Sequence, residues 1–347
     1  VVPMSAEEAI DAIASDDMAT RWRAAQVLFA SPEYSRKAVP IISDMIRDRG
    51  PEVPLEPLAV LGILGPAAKD VVPAIVAHLE RYSPQVDAEQ LAPKVQQYML
   101  HILVAIGPAA EDAVPVLIRV CDSKDQHSRY LACRALGSIG AAAKPAVGEL
   151  IRRMDYHGDV AEDRINTASV RRNAAIALGK LGGEVAPEAV PALIKAMDDP
   201  MSQVSDEATL ALGNFGEAAG PAVPHLYKRL ESHSPQRTKA ALSLWRLNED
   251  AADIMPHLIE HLESGPLRYE ASEVMAMMGP AAAPAIPDLI KTLDETDETI
   301  LVTSINALGS IGPAATIALP ALKKMLESDE QSIRRAAEDA IEKIQRH

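Results

Sequence analysis

ALGSIGPAATIALPALKKML, residues 307–326, decides the fold. Leu308 and Ile311 stand at helical spacing and run into Gly312; Pro-Ala-Ala follows, and Pro320 then opens a second apolar run through Leu322 and Leu326. Glycine accepts the left-handed backbone that closes a helix. Proline is tolerated in a helix's first turn, whose amides have no intrahelical acceptor. The stretch therefore reads as a helical hairpin: helix A, a turn anchored on glycine, and helix B.

The phrase recurs as LGILGPAAKDVVPAIVAHL (61–79), LVAIGPAAEDAVPVLIRVC (103–121), ALGSIGAAAKPAVGELIRRM (135–154), ALGKLGGEVAPEAVPALIKAM (177–197) and ALGNFGEAAGPAVPHLYKRL (211–230). Weaker copies begin at Val27, Arg246 and Met277. The turn anchors are Pro32, Gly65, Gly107, Gly140, Gly182, Gly216, Asn248, Gly279, Gly312 and Gln345, spaced 33, 42, 33, 42, 34, 32, 31, 33 and 33 residues apart. Eight residues past the anchor stands Pro40, Pro73, Pro115, Pro224, Pro256, Pro287 or Pro320, with Pro191 nine past and Gly148 the exception. A lone hairpin of this size cannot bury its apolar face, so the copies must stack, with caps at the ends. Ser5 and Glu8 have capping-box spacing before a short helix near Ala6–Ala14, which makes residues 1–16 an N-terminal cap. Residues 330–347 form an amphipathic C-terminal cap around Ile333, Ala337, Ile341 and Ile344. Residues 1–347 read as one all-α solenoid with no strand pattern.

Composition agrees. Hydrophobic residues make up 48% of the chain and aromatics only 3%, as suits Ala, Leu, Ile and Val cores between closely packed helices. Cys121 and Cys133 are too few for a disulfide framework or a zinc site and take apolar positions of the repeat, so both read as core. Trp22 and Trp245 lie in helix A patterns and are expected to be buried. No apolar run approaches the roughly 20 residues of a membrane span. The chain begins with Val1; a cytoplasmic location is favoured, and export after removal of a signal peptide stays open.

The units resemble HEAT repeats, in particular the short bacterial type similar to those of phycobilisome lyases, from about Ser5 to Gln345. The resemblance implies a right-handed α-α superhelix, a HEAT/armadillo-like solenoid of about ten helical hairpins, with the B helices on its concave side. It implies little about function, because such arrays serve many. HEAT proteins often pair an Arg of helix A with an Asp near that helix's start. Here Arg21, Arg129, Arg171, Arg237, Arg268 and Arg334 share one register position, and Asp16/Arg21 and Asp329/Arg334 have the matching spacing, so the column reads as an inter-repeat ladder. Acidic residues after each helix B, among them Glu80, Asp122, Asp155 and Asp199, suit the N-terminus of the next helix A.

The outward face of helix B is the expected binding surface. Nine, twelve and thirteen residues past the anchors stand Arg119, Arg152, Arg153, Lys195, His225, Lys228, Arg229, His257, His261, Lys291 and Lys324, against Asp44, Glu149, Glu260 and Asp288. They read either as a mildly basic groove for an acidic protein segment or as a solvated helix face. Two units are longer, with extra residues at about 82–93 and 155–169 that begin near Tyr82 and Tyr156 and include His157. Such insertions are edge loops that carry partner contacts, or drift in a permissive loop.

The enzymatic readings are weaker. His257, Glu260 and His261 spell H-x-x-E-H, a zinc-peptidase motif. They occupy ordinary outward positions of a helix B, however, and His78 and His225 fill the same columns elsewhere. HEAT hydroxylases use His-Glu dipeptides as iron ligands, and none occurs here. Asp155, His157, Asp159, Glu162 and Asp163 offer cation-binding oxygens without the spacing of a calcium loop. A net charge of −15 disfavours nucleic acid. The expectation is a non-catalytic protein-protein interaction scaffold without a cofactor. A chromophore-lyase-like protein acting on a tetrapyrrole-carrying partner is the alternative.

Overall fold

The computed structural model describes residues 4–82, 92–156, 164–232, 236–263 and 268–346. Contacts divide the chain into two compact units, Val1–Ala211 and Leu212–His347. The first runs through α1 (Ala6–Ala12), α2 (Met18–Phe29), α3 (Pro32–Arg49), α4 (Leu55–Leu64), α5 (Val72–Tyr82), α6 (Ala92–Ile106), α7 (Val114–Val120), α8 (Gln126–Ile139), α9 (Val147–Met154), α10 (Arg164–Leu181) and α11 (Ala186–Ala196) into α12 (Ser202–Leu212). The second holds α13 (Val223–Glu231), α14 (Arg237–Arg246), α15 (Ala251–Glu263), α16 (Arg268–Met278), α17 (Ile286–Lys291), α18 (Glu298–Ile311), α19 (Leu319–Met325) and α20 (Gln331–Gln345). Among the described residues there is no strand, and the fold is all-α.

In the first unit the A helices α2, α4, α6, α8 and α10 pack each on the next, and the B helices α3, α5 and α7 form a parallel layer. In the second, α14, α16, α18 and α20 form the A layer, and α13, α15 and α17 contact one another in order. Two devices set this spacing. One is a glycine three residues before the anchor, which lets neighbouring A helices approach: a Cβ on Gly137 would lie 2.9 Å from Ala177 Cα, and one on Gly309 would lie 2.8 Å from Ala340 Cα. The other is the turn itself. Where the anchor is followed by small residues, as in Gly65–Val71, Gly107–Ala113 and Gly312–Ala318, the seven residues form a 3-10 helix. Three residues per turn place the anchor and the third and sixth residues after it on one face. Ala110, Ala113, Ala315 and Ala318 on that face are fully buried. The eight anchors from Gly65 to Gly312 have positive φ, and Asn248, at φ 64°, is the one non-glycine residue of that kind among those described.

Several expectations need correction. Pro40, Pro191 and Pro256 lie inside α3, α11 and α15 rather than in a first turn. Those copies lack the small-residue 3-10 turn, so α-helix begins earlier. Trp22 is 53% exposed, because its position in α2 faces away from the helices that α2 packs against. The expectation that no apolar stretch approaches spanning length was too broad: Leu55–Tyr82, Lys94–Val120 and Glu298–Met325 are long and apolar enough by composition. Each is broken at a positive-φ glycine, Gly65, Gly107 or Gly312, into two helices joined by 3-10 turn.

The arginine column spans repeats by an unexpected route. Arg21 donates to the carbonyls of Ser15 and Asp16, Arg129 to those of Ser123 and Lys124, and Arg334 to those of Ser328 and Asp329. Asp16 and Asp329 thus contribute backbone oxygens to these arginines, not carboxylates. The guanidinium satisfies carbonyls left open where helix B ends. Where a carboxylate pairs, it comes from the helix B side of the same hairpin for Arg171 with Asp199, Arg237 with Glu260 and Arg268 with Glu295, and from the next helix A for Arg21 with Glu56.

Candidate interaction surface

Helix B presents its outward positions in register because the leucine behind them, Leu117, Leu193, Leu226, Leu258 or Leu289, is fully buried in the core. Arg119, Arg152, Lys195, His225, Lys228, Lys291 and Lys324 are exposed. Arg229, His257 and His261 are half-buried. Arg153 departs from the expected surface role. Its side chain is 7% exposed, bonded to Glu149 at 2.6 Å and Asp122 at 2.8 Å. A buried, doubly paired guanidinium holds helices together and is not offered to a partner.

Four exposed cations of this row are compensated from within. Arg119 pairs with Glu80 at 2.9 Å and Lys195 with Asp155 at 2.8 Å, each acid belonging to the end of an earlier helix B. Arg152 pairs with Glu149, and Lys291 with Asp288 at 2.8 Å. The acids after helix B therefore serve partly as partners for the next B helix. Helix capping falls to others, such as Asp17, Asp125 and Asp297. The face is a mixed-charge surface rather than a basic one.

The loop tyrosines are half-buried and tied inward. Tyr156 lies beneath the guanidinium groups of Arg129 and Arg153, 5.0 and 5.6 Å from its ring centre. Tyr82 stacks at 4.7 Å on His78 and packs against the turn at Gly50. His157, Asp159, Glu162, Asp163 and most of both insertions lie outside the described residues. The H-x-x-E-H motif is divided by its surroundings, since Glu260 takes the Arg237 guanidinium at 2.6 Å. Among the described residues no group of three or more His, Cys, Asp or Glu side chains is arranged to hold a metal.

A second concavity lies on the opposite layer, between α8 and α10. It is an open groove of about 630 Å³ lined by Gln126, His127, Tyr130, Arg134, Arg172 and Lys180, among others. The register reading passed over it because, in helix A, only the arginine column was aligned. The signal was present in the A columns: Tyr130 and Arg172 share one position, and Lys180 lies two turns beyond Arg172.

Stacked A and B layers with a glycine-anchored turn define an α-solenoid of the HEAT/armadillo class. Residues 165–245 and 255–342 match the family model for HEAT repeats. Comparison with curated proteins finds no match. Among solved structures, the chain is similar to the karyopherin Kap121p bound to the extreme C-terminus of the protein phosphatase Cdc14p. Identity is 15%, with 98% of this chain and 45% of that one covered and a TM-score of 0.48. It is also similar to a structure from work on the interaction between cadherin and beta-catenin, at 15% identity, 98% and 83% coverage and a TM-score of 0.47. This chain spans less than half the length of the karyopherin, at 45%. The partners named there belong to those proteins.

Proposed function

We propose that this chain is a protein-interaction scaffold whose exposed helix B row contacts a partner protein. One observation carries the reading: the architecture separates structural from presented charge. Arg171, Arg237 and Arg153 are buried and consumed between repeats. Arg119, Arg152 and Lys195 in the first unit, and His225, Lys228 and Lys291 in the second, stand exposed at repeating positions. A regular row of long, mixed-charge side chains suits an extended protein surface better than a single small substrate.

A photo-reactive amino acid placed at Lys195 or Lys228 tests this in the native host. The reading expects one partner protein covalently captured at these sites, and weaker capture with Arg152→Glu or Lys228→Glu. A chain that yields no adduct at either position, or that co-purifies with a visible-absorbing tetrapyrrole and acts on its carrier, overturns it.

A further inference from the structure

The groove between α8 and α10 differs electrostatically from the B face of the same unit. There Arg119, Arg152, Arg153 and Lys195 each have a carboxylate partner. In the groove, Arg172 is held by Glu207 at 2.6 Å. Arg134 and Lys180 are exposed and form no ion pair among the described residues. A chain of net charge −15 has carboxylates in excess, yet none among the described residues is placed against these two. Gln126 adds a second, independent sign. Its Nε2 is a buried donor with no acceptor. Such a group ordinarily finds a partner, because an unpaired buried donor has lost the hydrogen bonds that water would give it. The His101 imidazole is held below its ordinary value, first by burial and then by the charge of Arg134, in keeping with a positive local field. Tyr130 and Ile176 supply apolar surface between the polar groups.

We propose that this groove binds an acidic segment of a protein partner. Its carboxylates meet Arg134 and Lys180, the Gln126 amide turns into the groove to donate to an oxygen acceptor, and an apolar side chain rests on Tyr130 and Ile176. The assignment rests on the scaffold reading and moves the acidic-segment preference from the B face to the A face. A long polyphosphate fits less well. Its binding grows with the number of cations along its track, and here the surrounding molecule is strongly acidic.

The probe is a fluorescein-labelled peptide of alternating Glu, Asp and Leu, titrated with the full chain and followed by anisotropy. Saturable binding is expected, weakened roughly tenfold or more by Arg134→Glu with Lys180→Glu and unchanged by Lys195→Glu with Lys228→Glu. Both groove cations are exposed, so the helical circular dichroism of the variant should match the parent. Arg134→Gln with Lys180→Gln repeats the test without charge reversal and should also lose affinity. Absence of saturable binding overturns the proposal, as does equal loss from the B-face variant or tighter binding of inorganic phosphate or oligothymidylate than of the peptide. If the peptide fails while B-face capture of a protein succeeds, this inference falls and the scaffold reading stands. If the peptide binds through the groove but the B-face sites capture nothing, the B-face contact surface falls instead.

Discussion

Arg171 in α10 and Asp199 just after α11 form a two-pronged ion pair that ties one hairpin's helix A to the end of its helix B, Nε to Oδ2 at 2.7 Å and Nη2 to Oδ1 at 3.1 Å. Both side chains are nearly inaccessible, at 3% and 5% exposure. Arg171 also donates to the Tyr156 carbonyl at 3.1 Å, so one guanidinium joins the end of α9, helix α10 and the segment after α11. Removing either partner leaves a buried charge without its counterpart. Arg171→Ala or Asp199→Asn should cost about 3–5 kcal/mol, whereas replacing both with apolar residues should cost less than the sum. Urea unfolding of the two single variants and the double variant measures this. Strict additivity would show that the pair is not coupled.

Glycines three residues before the anchors predict opposite signs for one substitution. Alanine at Gly309 or Gly137 would set a Cβ 2.8–2.9 Å from the neighbouring helix backbone. Overpacking of this kind costs about 1–3 kcal/mol. Gly62, within α4, has open space where its Cβ would be, so Gly62→Ala should gain about 0.5–1 kcal/mol from helix propensity alone. Thermal unfolding of the three variants gives the signs. Stabilisation by Gly309→Ala would mean that the A helices are not held at this approach.

His78 is buried beside Tyr82, with its Nδ1 unpaired, and burial pushes its imidazole down to about 4. Between the ordinary value near 6.5 and about 4, the unfolded chain takes up a proton that the folded chain refuses. Stability therefore falls as pH drops through that window. His78→Phe should flatten this part of the pH–stability profile. Proton NMR should find the His78 ring titrating near 4 in the folded protein; titration at 6.5 would contradict the burial.

Cys121 and Cys133 are fully buried, with their sulfur atoms 3.8 Å apart. The hydrogen bond to Cys133, then burial, raises the Cys121 thiol well above its ordinary value. Thiolate is the reactive form, so the folded chain should resist a disulfide exchange reagent at mildly alkaline pH. Both thiols should react on unfolding. Rapid labelling of the native chain would place at least one of them at the surface.

Much of the fold was legible because its signals are local. The anchor glycines, the proline after them and the apolar spacing of Leu308, Ile311 and Leu322 act within one hairpin, so a single strand of text contains them. Asn248 was readable for the same reason: the αL requirement is a property of one backbone position. The candidate surface was less legible. Arg153 and Arg152 are neighbours in sequence, yet one is a buried tie and the other is exposed, and only the placement of Asp122 from the preceding repeat separates them. Trp22 failed in the opposite sense, because helical spacing names a face without saying what covers it.

The sequence by itself determined that this is a stacked array of helical hairpins, since helix closure, turn conformation and apolar periodicity are decided by neighbours along the chain. Tertiary structure alone decided which charges are used up and which remain. Glu80 meets Arg119 of the next repeat, and Asp199 meets Arg171 across their own hairpin, while Arg134 and Lys180 are brought to one groove with no acid paired to them among the described residues. Ion pairing depends on distances of a few ångströms between residues some 30 to 40 positions apart, and only packing sets those distances.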